Sequence, residues 1–282
     1  MTTAAEIVKT IEQIPPLSQS AARLLTLLCQ GNHTVNDMVK ILEMDPALTL
    51  RMLRTVNSPA YGLRSRIDSL NMAVTYLGEN MVMSIAVESG TGGLYRSSLK
   101  SYSARNEELW AHSLCTAIGA REIARLSKTI NPASAYTAGL LHDIGKPVID
   151  QWLAGSTAKM IEQAHENNED FHALERKKIQ TDHAETGGLL LAKWGLPENL
   201  RQAVAFHHCP SKAPEKDRPL TFSVHLGDIL SMMAGIGTSA DSLLYSMDSG
   251  YTAYLNIKPE QTEQIVFDIV QEYQKILKAL EN

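Results

Sequence analysis

The chain has 282 residues, 44% of them apolar and 20% charged, values of a folded globular protein that exclude disordered, fibrous and coiled-coil classes. Its 26 Lys and Arg stand against 31 Asp and Glu, a net charge of -5, so no overall positive field draws it to nucleic acid or acidic membrane. Three cysteines without CxxC spacing, Cys29, Cys115 and Cys209, argue against a disulfide framework and for a reducing, cytoplasmic setting.

The N-terminal stretch from Met1 to Gln13 carries Glu6 and Glu12 and has no basic start or long apolar run. No segment reaches the ~20 apolar residues of a membrane span, so neither secretion nor anchoring is expected. The apolar pattern is helical almost throughout and predicts an all-α fold. After Ile14-Pro15-Pro16, the stripe Ala21, Ala22, Leu24, Leu25 and Leu28 predicts a helix closing near Gly31. Thr34 with Asp37 has the spacing of an N-cap and a first-turn carboxylate. Asp45-Pro46 opens a further helix, and Asn57-Ser58-Pro59 breaks it. Two more helices are predicted on either side of Gly78, from Ser69 and through Met81, Val82 and Ile85.

Between Ser89 and Ser103 the residues Gly90, Gly92, Gly93, Ser97, Ser98 and Ser101 mark the expected hinge or module boundary. Helices are then predicted around Leu109–Leu126, Ala133–His142, Met160–Asn167, His183–Trp194, Leu200–His207, Leu220–Met233 and Thr262–Leu280, with a polar loop at Pro210–Pro219. The last helix repeats Ile265, Ile269, Ile276, Leu277 and Leu280, a stripe suited to packing on the core.

In this second part, ionisable residues stand where a plain core would be apolar. The run Gly139-Leu140-Leu141-His142-Asp143-Ile144-Gly145-Lys146 is the strongest case, because a buried carboxylate needs a hydrogen bond, an ion pair or a metal. Neighbouring helical residues point about 100° apart, so His142 and Asp143 would share an ion best at a helix end, with Gly145 as terminator. Taken alone, metal ligation and a surface Asp143–Lys146 pair beside a satisfied core histidine stay equally open. His112 lies among Leu109, Trp110, Leu114 and Ile118; His183 follows Asp182, which forms a capping pair with Glu185; His207 and His208 end a helix before Pro210; Asp228 sits within Val224, Leu226, Ile229 and Leu230.

Five histidines and two aspartates in apolar company are most economically satisfied by one shared centre. Mixed imidazole and carboxylate ligands suit one or two divalent transition metals (Fe, Mn, Ni or Zn) rather than Ca. Two ions roughly 3.5–4 Å apart could activate a water and steady the oxygens of a phosphoryl displacement, which fits hydrolysis of a phosphoester.

The segments Trp110-Ala111-His112-Ser113, Leu141-His142-Asp143-Ile144-Gly145-Lys146 and the downstream Asp228 resemble the H…HD…D signature of the HD metal-dependent phosphohydrolase superfamily. More narrowly, Ile14-Pro15-Pro16-Leu17, Asp45-Pro46-Ala47-Leu48, Val56-Asn57-Ser58-Pro59-Ala60-Tyr61, Ala73-Val74-Thr75-Tyr76-Leu77-Gly78, His183-Ala184-Glu185-Thr186-Gly187 and Trp194-Gly195-Leu196-Pro197 resemble the HDOD domain. This is the HD-related output domain of bacterial signalling proteins, and the likeness runs from Ile14 to Lys212.

The resemblance implies an HD-like helical bundle (96–212) after an N-terminal helical subdomain (14–95), with 213–282 completing the bundle through Asp228 and adding a terminal helix. It further implies one metal on His112, His142, Asp143 and Asp228, and a second on His183, His207 and His208 bridged by Asp143. Lys146 would face a phosphate, and Asp143 and Lys146 would be the catalytic pair. The related HD-GYP phosphodiesterases continue from His-His to Gly-Tyr-Pro, whereas Cys209-Pro210 follows His208 here, so cyclic dinucleotide hydrolysis is weakly supported.

Two functions stand side by side: a metal-dependent phosphohydrolase acting on a nucleotide or other phosphoester, and a catalytically silent signalling scaffold binding partner proteins through residues 14–95. No receiver, cyclase or DNA-binding segment is recognisable outside the matched region, which is the pattern of a stand-alone domain with a C-terminal extension. Nucleic acid is an unfavoured partner. Arg51, Arg54, Arg64 and Arg66 cluster near Tyr61, but residues 1–95 hold 7 basic and 8 acidic groups, and a solvated face paired with Asp45 and Asp68 accounts for the cluster.

Overall fold

Short polar side chains start the first helices. The computed structural model describes residues 4–91, 93–96, 99–104, 107–237, 239, 241–242 and 244–280. Its N-terminal helices are α1 (Ala4–Gln13), α2 (Gln19–Gln30), α3 (Val35–Leu42), α4 (Pro46–Val56) and α5 (Leu70–Gly90). The Thr34 hydroxyl accepts from the Asp37 N–H, and the Asp37 carboxylate accepts from the Thr34 N–H, so two otherwise unpaired donors are satisfied at the start of α3. Asp45 caps α4 by accepting from the Leu48 N–H at 3.1 Å, with Pro46 in the first turn. The two helices expected around Gly78 are one element, α5, bent where Gly78 takes φ 73°.

The second part contains α6 (Glu108–Ser127), α7 (Pro132–Leu141), α8 (Lys146–Leu153), α9 (Thr157–Asn167), α10 (Phe171–Ile179), α11 (His183–Lys193), α12 (Glu198–Ala205), α13 (Arg218–Met233) and α14 (Pro259–Leu280). Among the described residues no strand forms; Leu99 and Ala104 make one isolated antiparallel bridge. At the centre α6 packs most extensively on α13 and α7. Backbone approach there needs glycine: a Cβ at Gly139 would lie 2.6 Å from Ala117 Cα, and one at Gly227 would lie 2.6 Å from the Ala120 nitrogen. The helices that carry His112 and Asp228 and the one that leads into His142 are thereby held at close range.

The terminal helix lies on this core. Ile269 is fully buried, and the buried Arg121 guanidinium of α6 forms paired bonds to Glu272 of α14 at 2.6 and 2.5 Å. At the other end, α1 was not expected from the sequence, yet Ile7 and Ile11 bury against α8 and α11. Lys193 donates to the Ile11 and Glu12 carbonyls at 2.8 and 2.7 Å, and the Trp194 indole donates to Pro15 at 3.1 Å.

Other differences from the expected elements have local causes. Helices α8 and α10 are short and were not read from periodicity, and Pro210–Pro219 contains two 3-10 turns with Pro210 and Ala213 buried. Arg51 pairs with Glu88 of α5 rather than with Asp45, whose carboxylate is used as the α4 cap. Of the expected hinge, Gly92, Ser97 and Ser98 lie outside the described residues. Its neighbours are anchored: Ser101 donates to Asp150 through both its N–H (2.8 Å) and its hydroxyl (2.6 Å), and Tyr95 and Tyr102 are buried. Among the described residues no helix is long and apolar enough to cross a membrane.

Candidate metal centre

Five segments deliver the candidate ligands. His112 comes from the second turn of α6, His142 and Asp143 from the turn between α7 and α8, His183 from the first residue of α11, His207 and His208 from the segment after α12, and Asp228 from α13. Asp182 caps α11 by accepting from the Glu185 N–H at 2.7 Å, which fixes where His183 emerges. All seven side chains converge on one buried centre.

Asp143 lies in the middle, 1% exposed. Its Oδ2 faces Lys146 Nζ at 2.8 Å, His142 Nε2 at 3.3 Å and His112 Nε2 at 3.7 Å. Its Oδ1 faces His183 Nε2 at 3.4 Å and His207 Nε2 at 3.9 Å. Asp228 Oδ1 lies 2.9 Å from His112 Nε2 and 3.7 Å from His142 Nε2. His183 Nε2 and His208 Nε2 stand 2.8 Å apart.

The outer hydrogen bonds assign the ring protons. A carbonyl oxygen can only accept, so His142 Nδ1, 2.8 Å from the Gly139 carbonyl, and His207 Nδ1, 2.7 Å from the Val204 carbonyl, each carry their hydrogen outward. The Nε2 atoms of both rings then face the centre. The Ser231 hydroxyl donates to the Asp228 carbonyl at 2.8 Å and lies 3.2 Å from His112 Nδ1, while His112 Nε2 stands 2.9 Å from Asp228 Oδ1. Glu175 Oε2 accepts from His183 Nδ1 at 2.6 Å.

Several polar atoms of this buried centre remain unsatisfied. His142 Nε2, His207 Nε2, both Asp143 oxygens and Asp228 Oδ1 are buried and receive no aligned hydrogen bond, although Lys146 and His112 lie at ion-pair distance. Such a cluster is costly unless positive charge enters it. Three groups, His112/His142/Asp228, His142/Asp143/His207 and His183/His207/His208, each place one ligand atom per residue within 4.8 Å of the others. The mixed imidazole and carboxylate donors fit a divalent transition metal.

The electrostatics agree. Burial alone would raise the Asp143 carboxyl, but His142 and Lys146 hold it well below the usual carboxylate range. Asp228 follows the same pattern, burial being outweighed by His112 and His142. Burial, together with neighbouring imidazoles, pushes His207 and His208 well below the ordinary histidine value, so both rings are neutral. Burial works against a charged His183, yet Glu175 and Asp143 outweigh it and raise its pKa to about 9.

Lys146 is 5% exposed and lies 2.8 Å from both Asp143 and Asp241. The Asp143–Lys146 pair considered from the sequence exists, but it is buried, and the adjacent His142 keeps an unsatisfied Nε2. Gly145 is not a left-handed helix stop: α7 ends at Leu141, Gly145 has φ -75°, and a Cβ there would lie 1.9 Å from the His183 carbonyl oxygen. Glycine is needed because α8 and α11 meet at that point.

Sequence reasoning missed the supporting residues. Glu175 orients His183, Asp241 holds Lys146, and Tyr245 stacks on His208 at 4.0 Å while donating to Asp241 at 2.5 Å. Their positions follow from tertiary packing, and no local motif marks them. Asp241 and Tyr245 help close the centre: together with His112, Asp143, Lys146, His208, Asp228 and Met232 they enclose a space of about 10 Å³, the volume of a single water.

A sequence model of the HDOD domain matches residues 14–210. An uncharacterized protein of Treponema pallidum (strain Nichols) is 28% identical over 222 residues, 78% of this chain and 42% of that protein, so the chain spans less than half the length of this relative. Three crystal structures share the fold. An HDOD domain protein of unknown function from Geobacter sulfurreducens aligns with a TM-score of 0.65 at 23% identity, covering 98% of this chain and 93% of its own. A candidate phosphohydrolase from Shewanella amazonensis SB2B gives 0.66 at 20%, covering 98% and 97%. A candidate signal transduction protein from Marinobacter aquaeolei VT8 gives 0.72 at 20%, covering 94% and 58%.

Proposed function

The chain belongs to the HDOD domain family, and from that premise we propose that it is a signalling protein whose buried His/Asp centre holds one or two divalent transition metals. The observation that carries this is the convergence of five imidazoles and two carboxylates on one buried centre, with the His142, His183 and His207 rings each oriented by an outer hydrogen bond and polar atoms of His142, His207, Asp143 and Asp228 left unsatisfied. His112, His142 and Asp228 would hold one ion and His183, His207 and His208 the other. Asp143, with Oδ2 toward the first group and Oδ1 toward the second, would bridge them. A bound ion of this kind supplies Lewis acidity and neutralises the carboxylate pair.

The chain's own residues make the site closed rather than catalytic. Lys146 neutralises Asp143 and Asp241, so its ammonium is not free for a phosphate. Tyr245 covers His208, and the described residues around the centre enclose only about 10 Å³, whereas an active site keeps an open position and a cavity of several hundred Å³. Partner proteins would dock on residues 14–95, where Met44, Leu50, Met72 and Tyr76 are exposed.

Phosphoester hydrolysis is the second reading, favoured by the ligand chemistry; it requires Tyr245 and Asp241 to withdraw. The two are separated by assaying a generic phosphodiester with metal-loaded protein. The scaffold reading predicts no turnover above that of the His142→Ala/Asp143→Ala variant. Metal-dependent turnover that this variant loses would make the protein a phosphohydrolase instead.

A further inference from the structure

Away from the metal centre, an open cavity in the N-terminal part lies over the segment that follows α4. It has a volume of about 660 Å³, is open to solvent, and is lined by Arg54, Arg64 and Arg66 with Asn57, Ser58, Pro59 and Leu63. The lining contains no carboxylate. Among the described residues none of the three guanidiniums has an ion-pair partner, in contrast to Arg51, Arg121, Arg176 and Arg218, each of which has one. The C-terminus of α4 accounts for a cation at Arg54, but not for Arg64 and Arg66 beyond the helix. Three like charges around one concavity repel one another unless an anion enters.

The cradle is built before any ligand arrives. Asn57 donates to the Leu53 and Ile67 carbonyls, both at 2.7 Å, and accepts from the Ile67 N–H at 2.8 Å, so one side chain pins the two ends of the loop. The backbone N–H groups of Leu63, Arg64, Ser65 and Arg66 donate to no described residue. Ser58, 5% exposed, is part of the cavity wall, and its hydroxyl is buried with no hydrogen-bond partner. A buried hydroxyl left unpaired beside unpaired guanidiniums is the arrangement that phosphate oxygens satisfy. The volume is that of a small-molecule site rather than a single phosphate, and Pro59 and Leu63 add apolar wall for a planar ring.

We propose that this cavity binds the diphosphate group of a nucleotide, with Arg54, Arg64 and Arg66 as its counterions and Ser58 as a buried hydrogen-bonding partner. The site is independent of the metal centre.

The test is calorimetric titration of the whole protein with ADP and, separately, with inorganic pyrophosphate, at low and at moderate salt. ADP binds more tightly than pyrophosphate, weakens as salt rises, and loses at least about tenfold in affinity in the Arg54→Ala/Arg64→Ala/Arg66→Ala variant. The three side chains are exposed, so the variant's circular dichroism and melting temperature stay those of the parent. Ser58→Ala is a second variant that lowers affinity while keeping the charge. Equal binding of pyrophosphate and ADP would overturn the nucleotide assignment and leave a polyphosphate site. Absence of binding to both probes, unchanged affinity in the triple variant, or preference for a single-stranded oligonucleotide would overturn the proposal.

Discussion

His183 and His208 face each other through their Nε2 atoms at 2.8 Å, while Glu175 accepts a hydrogen bond from Nδ1 on the far side of the His183 ring. Two ring nitrogens that close need positive charge between them, supplied by a shared proton or by a metal. Glu175 therefore governs the basicity and the tilt of His183 from outside the ligand set.

The Glu175→Gln variant tests that relationship. The amide keeps the size but loses the charge, so metal affinity should fall about 10- to 100-fold, as it does when carboxylate partners of ligating histidines are removed. Competition with a chromophoric chelator measures it. Unchanged affinity would mean that the His183/His207/His208 group does not ligate.

Lys146 is predicted to be essential for stability. It is the counterion of two buried carboxylates, Asp143 and Asp241, and Lys146→Met would leave both without it. Urea denaturation of the metal-free protein should show a loss of about 3–5 kcal/mol. The Lys146→Met/Asp241→Asn pair should recover part of it, because one of the stranded charges is gone. A loss below about 1 kcal/mol, the range of surface pairs, would contradict the buried-counterion role.

At Gly145 the expected effect is steric. A methyl group would strike the His183 carbonyl, forcing apart the starts of α8 and α11 that carry Asp143 and His183 into the centre. Gly145→Ala should destabilise the protein by about 3 kcal/mol and also lower its metal content, whereas a conformational role alone would tolerate alanine at φ -75°. Thermal unfolding and elemental analysis of the same sample check both effects.

These residues also show what the sequence could and could not convey. Thr34, Asp45 and Asp182 are legible as helix starts because a capping side chain and the N–H that donates to it are three residues apart, and the structure makes those bonds. The ionisable ligand candidates stand out against apolar helix faces for the same local reason. Glu175, Asp241 and Tyr245 carry no such signal, since their partners come from other elements and only the packing brings them together. Gly145 was visible as a glycine, but the reason for it, the approach of α11, is tertiary. The α1 helix is ten residues long, shorter than the stretch over which helical periodicity is read, and the partners of its Ile7 and Ile11 lie on α8 and α11.

Tyr245 is expected to control access. Its ring stacks on His208, and its hydroxyl donates to Asp241, so Tyr245→Ala opens the enclosed space from the side of the His183/His207/His208 group. Metal loss to excess chelator, followed in stopped flow, should become faster by about tenfold or more, while equilibrium affinity changes less because no ligand is removed. Equal rates in the two proteins would place the exit route elsewhere.

The claim beneath all of this is that the His/Asp centre is a metal site, and elemental mass spectrometry of protein purified without added metal or chelator tests it most directly. The His142→Ala/Asp143→Ala variant, which removes one ring and the bridging carboxylate, is run beside it. One or two equivalents of a transition metal in the parent, lost in the variant, is the predicted result. A parent that holds none, even after loading with Mn, Fe, Ni or Zn, would contradict it.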